Sequence, residues 1–219
     1  VGHEIVYGRN AVTEARRGRR RVLREMTAEE LGAEELERIC GSADHQGIVA
    51  EVDPYPYAEA DSLLAGEDAL VVALDQVQDP HNLGAICRSA EAAGASGVVI
   101  CERRAVGVTG AVCKASAGAV EHLPVARVRN LADWLVRARS LGAWSYGADA
   151  DAETSYLDLD LSGRVVLVLG AEGAGLRPRV AASCDQLARI PTTGRVGSLN
   201  VSVAAALLLF AAGRVPGGG

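Results

Sequence analysis

Three short segments of this chain collect residue types that can do chemistry. The first runs Asp75-Gln-Val-Gln-Asp-Pro-His-Asn82-Leu-Gly-Ala-Ile-Cys-Arg88. The second is Leu169-Gly170-Ala-Glu172-Gly-Ala-Gly175-Leu-Arg-Pro178. The third is Ile190-Pro-Thr-Thr-Gly-Arg-Val-Gly-Ser198-Leu199-Asn200-Val-Ser-Val203. Chief among their polar groups are the Arg88 guanidinium, the Glu172 carboxylate and the Asn82 and Asn200 carboxamides, set among much exposed backbone. Such a set can orient a hydroxyl and stabilise developing negative charge. Each residue also has a plainer reading. Asn82 and Asn200 are good helix caps. Arg88, inside an otherwise apolar helix, needs a partner, because an unpaired buried charge is costly. The glycine run is a turn in which backbone can approach a ligand closely.

Several chemistries are excluded by the same residues. The glycine order is G-x-x-G-x-G, not the dinucleotide fingerprint G-x-G-x-x-G, and no Gly-Lys-Ser/Thr of a phosphate-binding loop follows. His3, His45, His81 and His122 are scattered, so no metal site is expected. Five cysteines (Cys40, Cys87, Cys101, Cys113, Cys184) form no C-x-x-C pair and read as small buried apolar residues.

The elements that position these segments follow from periodicity. Short apolar strands at Ala69–Leu74, Gly97–Cys101, Leu123–Val128, Ala143–Gly147, Arg164–Leu169 and Gln186–Ile190 alternate with helices. The helices are expected at Asn82–Ala93, Thr109–Val120, Asn130–Ser140, Pro178–Ser183 and Val201–Ala212. This alternation predicts an α/β fold with a mostly parallel sheet and helices on both faces. Ligands then sit beyond the carboxyl ends of strands, where the three segments fall. Ahead of this lies a small α/β piece: a helix over Asn10–Arg17 capped by Asn10, a strand over Arg21–Met26, a helix over Ala33–Cys40 and a strand over Gly47–Val52. The Asp53-Pro-Tyr-Pro-Tyr57 run is the expected connector.

The chain has 219 residues, 49% of them apolar and 23% charged, so wholesale disorder is excluded. Its longest apolar stretch, Val201–Ala212, is short of the ~20 residues that span a bilayer. With no signal peptide ahead of Val1–Glu4, a soluble cytoplasmic protein without a membrane partner is expected. The net charge of −6 is unevenly spread. Residues 1–24 hold seven Arg against two Glu, whereas residues 25–75 hold one Arg against fourteen acids. The basic cluster Arg9, Arg16, Arg17, Arg19, Arg20, Arg21 and Arg24 is a candidate RNA footprint; a solvated helix face is its plainer reading.

Asn82-Leu-Gly-Ala-Ile-Cys-Arg88, Gly170-Ala-Glu-Gly-Ala-Gly175 and Ser198-Leu-Asn-Val-Ser202 resemble, in order and spacing, the three motifs of the SpoU (TrmH) family of RNA ribose 2′-O-methyltransferases in the SPOUT superfamily. Val6-Tyr-Gly-Arg-Asn-Ala-Val12 and His45-Gln-Gly-Ile-Val-Ala50 further resemble the RlmB-type branch, which methylates a guanosine of 23S ribosomal RNA. The resemblance implies S-adenosylmethionine as cofactor, RNA as substrate, a homodimer with sites beside its interface, and a C-terminal trefoil knot. It implies an L30e-like RNA-binding domain over residues 1–53, a linker over 54–67, a methyltransferase domain over 68–214 and a disordered tail over 215–219. It also implies catalytic roles for Arg88, Asn82, Glu172, Asn200 and Ser198, and cofactor contacts from Gly170, Ile190, Leu199, Leu169 and Gly175. Thr192 stands where the family usually has Met, and the segment between Met26 and Glu35 is shorter than the family's. A transfer-RNA or antibiotic-resistance methyltransferase of the same family is the alternative, as is a non-catalytic RNA-binding assembly factor.

Overall fold

The computed structural model describes residues 2–194 and 197–213. The expected tail over 215–219 lies outside them. A three-stranded antiparallel sheet comes first, built from β1 (Glu4–Tyr7), β2 (Val22–Thr27) and β3 (Ile48–Val52) in the order β1-β3-β2. Helix α1 (Arg9–Arg17) follows β1, and α2 (Ala28–Leu31) and α3 (Ala33–Cys40) join β2 to β3.

The main sheet has six strands, all paired in parallel: β4 (Leu70–Asp75), β5 (Gly97–Cys101), β6 (Val125–Val128), β7 (Trp144–Ala148), β8 (Val165–Gly170) and β9 (Gln186–Ala188). Their spatial order is β6-β5-β4-β8-β7-β9. Successive residues of a strand face opposite sides of its sheet. Leu70, Val72 and Leu74 of β4 accordingly join Leu167 and Leu169 of β8 in one apolar layer, with α4 (Pro80–Ala92), α5 (Gly110–Ala115) and α8 (Val201–Ala211). Val71, Ala73, Val166 and Val168 face the other layer, under α6 (Leu131–Ser140) and α7 (Pro178–Ser183). Strands covered on both faces are apolar throughout, which is why β4 and β8 read as continuous runs. The chain moves outward from β4 through β5 and β6, then returns to fill the opposite side. The order reverses between β4 and β8, where a parallel sheet opens a crevice at its carboxyl edge.

Local differences from expectation have physical causes. Gly8, at φ 93°, precedes α1, so Asn10 lies inside the helix rather than capping it. The helix expected over Thr109–Val120 stops at Ala115. Ala117 and Gly118 adopt φ of 53° and 89°, and a 3-10 turn follows over Ala119–Glu121. A Cβ on Gly118 would sit 2.5 Å from the Glu14 Cβ, so the close approach of α1 requires glycine there. The connector is packed rather than solvated: the buried Tyr55 hydroxyl donates to the Val120 and Leu123 carbonyls, both at 3.0 Å.

Asp185, just before β9, ties down the sheet's outer edge. Its side chain is 6% exposed and accepts from the Ser145 backbone N–H (2.8 Å) and hydroxyl (2.6 Å) and from Arg139. Burial alone raises a carboxyl pKa, but these donors outweigh it and hold Asp185 below its ordinary value. Its contribution to stability is therefore fully present above about pH 4 and is lost as pH falls through the depressed folded-state value. Asp185→Asn is expected to cost about 1–3 kcal/mol in urea unfolding at pH 7, with a deficit that narrows below pH 4. A deficit that widens on acidification contradicts this assignment.

Candidate functional site

Helix α4 begins with Asp79, whose carboxylate accepts from the His81 N–H at 2.8 Å, and with Pro80 in its first turn. Asp79, not Asn82, is thus the cap, and the Asn82 carboxamide is released for another task. It is buried at 7% exposure, with its Nδ2 donating to Glu172 Oε2 at 3.2 Å. Asn200 Nδ2 donates to Asn82 Oδ1 at 2.9 Å and to Glu172 Oε1 at 3.3 Å. Asn200 Oδ1 accepts from the Ser202 N–H at 2.8 Å and from its hydroxyl, capping α8. A backbone N–H can only donate, so the Asn200 oxygen must face α8 and its nitrogen must face Asn82 and Glu172. The orientation of Asn82 follows by the same logic. One carboxylate and two carboxamides thereby join the three chemically distinctive segments.

The loop that carries Glu172 is tightly folded. Gly175 N–H donates to the Ala171 carbonyl at 2.9 Å, and Gly173 and Gly175 adopt φ of 75° and 65°. A Cβ on Gly170 would lie 2.0 Å from the Gly175 carbonyl carbon, so the two backbones cross where only glycine fits. Beyond the loop, the Arg177 backbone N–H and Nε donate to Asp75 at 2.9 and 2.8 Å. The Asp75 carboxylate is fully buried at the end of β4 and raises the pKa of Arg177, chiefly through this hydrogen bond. The loop is therefore fastened by Glu172 near its start and by Arg177 after its end.

A pocket of about 370 Å³ opens beside this loop at the sheet's carboxyl edge. That lies within the ~300–1,000 Å³ of small-molecule sites. Leu169, Gly170, Gly175, Ile190 and Leu199 all line it, with Glu172, Ser198 and Thr192. Asn82 and Asn200 do not line it; they stand behind Glu172. The loop after β7 completes the wall with Asp149 and Asp151, which sequence reading missed. The rule that sites follow strand carboxyl ends applies equally to β7, and was the signal that could have found them.

Arg88 differs from expectation. It is exposed on α4, and among the described residues its side chain makes no hydrogen bond or ion pair; in particular Glu172 engages the two asparagines instead. Arg20 is a clear correction to the basic footprint. Its side chain is 1% exposed and is clamped between Glu4 and the fully buried Glu121, so it faces no ligand. Burial opposes its charge, but the Glu121 hydrogen bond prevails and raises its pKa. Arg19 is also engaged, donating to the Leu123 carbonyl at 3.0 Å. Arg9 bonds to Gln46, Arg16 to Glu25, Arg17 to Glu14 and Arg21 to Asp53 across 3.6 Å, while the exposed Arg24 side chain has no partner among the described residues.

Other chemistries find little support. All five cysteines are free, and burial pushes the Cys87, Cys113 and Cys184 thiols up to about 12, far from a reactive thiolate. Among the described residues, no group of three His, Cys, Asp or Glu side chains is placed to hold a metal ion. Among them, too, no helix is long and apolar enough to cross a membrane.

Known proteins share this arrangement. The SpoU rRNA Methylase family model matches residues 69–210, and a model described as RNA 2′-O ribose methyltransferase substrate binding matches residues 27–58. A putative TrmH family tRNA/rRNA methyltransferase, YacO of Bacillus subtilis, is 40% identical over 95% of this chain and 94% of its own. The SpoU methyltransferase AviRb from Streptomyces viridochromogenes, in complex with AdoMet, superposes with a TM-score of 0.81 at 27% identity, covering 97% of this chain and 90% of its own. An AdoMet-bound rRNA methyltransferase from Sinorhizobium meliloti gives a TM-score of 0.83 at 29% identity, covering 97% and 87%.

The crossing of Gly170 and Gly175 yields a prediction. Gly170→Ala is expected to cost more than the ~1–3 kcal/mol typical of overpacking, because the obstructing atoms are backbone. Gly173→Ala meets no neighbouring atom, and only its positive φ opposes it, so it should cost about 1 kcal/mol. Thermal unfolding of the two variants compares them, and equal losses would contradict the tight crossing.

Proposed function

The chain belongs to the SpoU rRNA methylase family, and on that premise we propose that it transfers the methyl group of S-adenosylmethionine to a ribose 2′-hydroxyl of RNA, a guanosine of 23S ribosomal RNA, in the cytoplasm. The observation that carries this reading is the Asn82–Glu172–Asn200 interlock beside a pocket with exposed backbone. The pocket fits the cofactor chemically. Leu169, Ile190 and Leu199 offer apolar contact to a purine, and Asp149 and Asp151 favour a cationic ligand.

Bound S-adenosylmethionine supplies a methyl group already activated by its positive sulfur. The chain's own residues must then orient a weakly nucleophilic hydroxyl and ease the loss of its proton. Gly170, Gly175, Ile190 and Leu199 hold the cofactor in this reading, and Ser198 lines the substrate side. Arg88 acts in this reading through its positive charge. It stabilises the developing alkoxide, and an RNA phosphate passes the hydroxyl proton on to solvent. Asn82 and Asn200 act through Glu172 to keep the loops in register.

The same reading makes the chain a homodimer. Leu157, Val203, Leu207 and Phe210 are exposed at 70%, 47%, 38% and 53% around a groove between α4 and α8. Large apolar residues gathered in one patch mark an interaction surface. Ala85 and Ser89 line that groove, and Arg88 lies on the same side of α4 by helical spacing. A second copy seated there brings Arg88 to the dimer interface. Residues 1–53 form the RNA-binding unit, residues 54–67 the connector and residues 68–214 the methyltransferase unit with its trefoil knot. Arg9, Arg16, Arg17, Arg21 and Arg24 supply phosphate contacts that position rather than specify.

Incubation with tritiated S-adenosylmethionine and unmodified ribosomal RNA or transfer RNA, followed by nuclease mapping, tests the proposal. The expected result is label in one alkali-resistant dinucleotide of 23S RNA, with Arg88→Ala lowering turnover ~10²–10³-fold while cofactor binding persists. Label confined to transfer RNA overturns the substrate and keeps the chemistry. Cofactor binding without label in either RNA overturns the reaction on free RNA.

A further inference from the structure

Most arginines of this chain are engaged by carboxylates, carbonyls or a tyrosine. Among the described residues, four have side chains that make no hydrogen bond or ion pair: Arg24, Arg88, Arg103 and Arg104. The last two are adjacent, exposed, and lie on the loop that leaves the carboxyl end of β5.

This loop is held firmly at its base. Glu102 N–H donates to the Val128 carbonyl at 2.9 Å, and Val106 N–H donates to the Val77 carbonyl at 3.1 Å. Val108 N–H donates to the Tyr57 hydroxyl at 2.8 Å. Tyr57 is in turn covered by the Arg127 guanidinium, 3.7 Å from its ring centre. Arg104 sits at φ 57°, a left-handed conformation that is unfavourable for a non-glycine residue. The anchors therefore hold two guanidinium groups outward without giving them an internal partner.

The loop's place in the sheet gives this meaning. Val77 belongs to the segment leading into α4, so one anchor rests directly on the segment that presents Asn82. β5 stands two strand positions from β8, about 10 Å at the usual spacing. Arg129, whose side chain is 91% exposed, follows β6 and reaches Glu102 only across 3.5 Å. The acids Asp149 and Asp151 line the pocket on the opposite side, after β7. The carboxyl edge is thus polarised, with the free guanidiniums of Arg103 and Arg104 after β5, the Glu102-paired Arg129 after β6, and carboxylates toward β7.

We infer that the Glu102–Val106 loop is a phosphate-contacting arm, through which Arg103 and Arg104 grip the RNA backbone next to the reacting nucleotide. This rests on the RNA methyltransferase reading and adds to it a surface distinct from the N-terminal arginines. A polyanion approaches from the cationic side of the edge, while the acidic side is left to the cationic cofactor. The contacts are sequence-independent and set position.

The test is a salt titration of single-stranded RNA oligonucleotide binding by the full chain and by Arg103→Gln/Arg104→Gln, with S-adenosylmethionine affinity measured on both. Each lost phosphate contact is expected to reduce the slope of log K against log salt by about 0.7, so the double variant should lose about 1.4. Its affinity for S-adenosylmethionine should be unchanged. An unaltered slope with intact cofactor binding overturns the inference and leaves the methyltransferase reading standing. Wild-type protein that binds cofactor but shows no salt-dependent RNA binding overturns both. If the double variant loses cofactor binding, Arg103→Gln alone is judged by the same slope, with a loss of about 0.7 expected and no loss overturning the inference.

Discussion

Glu172 accepts hydrogen bonds from two carboxamides at once, and through them joins segments 90 and 28 residues away. Each segment has a separate structural duty. Asn82 sits in the first turn of α4, Glu172 in the glycine loop after β8, and Asn200 at the start of α8. Asn200 is the most constrained of the three, because its oxygen caps α8 while its nitrogen closes the interlock. The last helix cannot begin elsewhere without opening the pocket wall. Glu172 and Asn200 are exposed, so each of these hydrogen bonds contributes only about 0.5–1.5 kcal/mol net. They add to the hold of the Gly170–Gly175 crossing on the same loop.

The N-terminal unit depends on a different interaction. Its own small cluster contains Tyr7, Met26, Leu36 and Val49, while Val6, Ala11, Val12 and Ala15 pack into the core of the main sheet. A piece of some fifty residues is marginal alone, and sharing a core removes that difficulty. Arg20 fixes the orientation of this joint. It bridges Glu4 of β1 and Glu121 of the turn after α5, with Cys113 Sγ 3.2 Å from its guanidinium. Breaking such a buried pair on one side typically costs about 3–5 kcal/mol, since the other charge is stranded.

Much of this architecture was legible in residue order. The β-branched runs at 97–101 and 165–169 mark strands buried on both faces, and the helices over Ala33–Cys40 and Pro178–Ser183 fall where their periodicity or Pro at the first turn places them. The three chemically unusual segments were visible as such, and their shared strand-end position pointed to one edge. Tertiary packing decided what was not legible. Asp79 displaced Asn82 as the cap, a competition between two good capping residues three apart that spacing does not resolve. Gly118 ended a helix because α1 presses against it. Arg20 and Arg21 are neighbours in one basic run, yet one is buried in an ion pair and the other is exposed. Charge composition cannot tell them apart.

In the proposed function, Asn82, Glu172 and Asn200 act as one unit in holding the pocket that takes S-adenosylmethionine. A double-mutant cycle with Asn82→Ala and Asn200→Ser, reading S-adenosylmethionine affinity by calorimetry, tests it most directly. Serine retains the capping oxygen for α8 while removing the donor to Asn82 and Glu172. The expected losses fail to add, with a coupling of about 0.5–3 kcal/mol. Losses that sum to within about 0.3–0.5 kcal/mol would mean that the two asparagines work independently, and would contradict it.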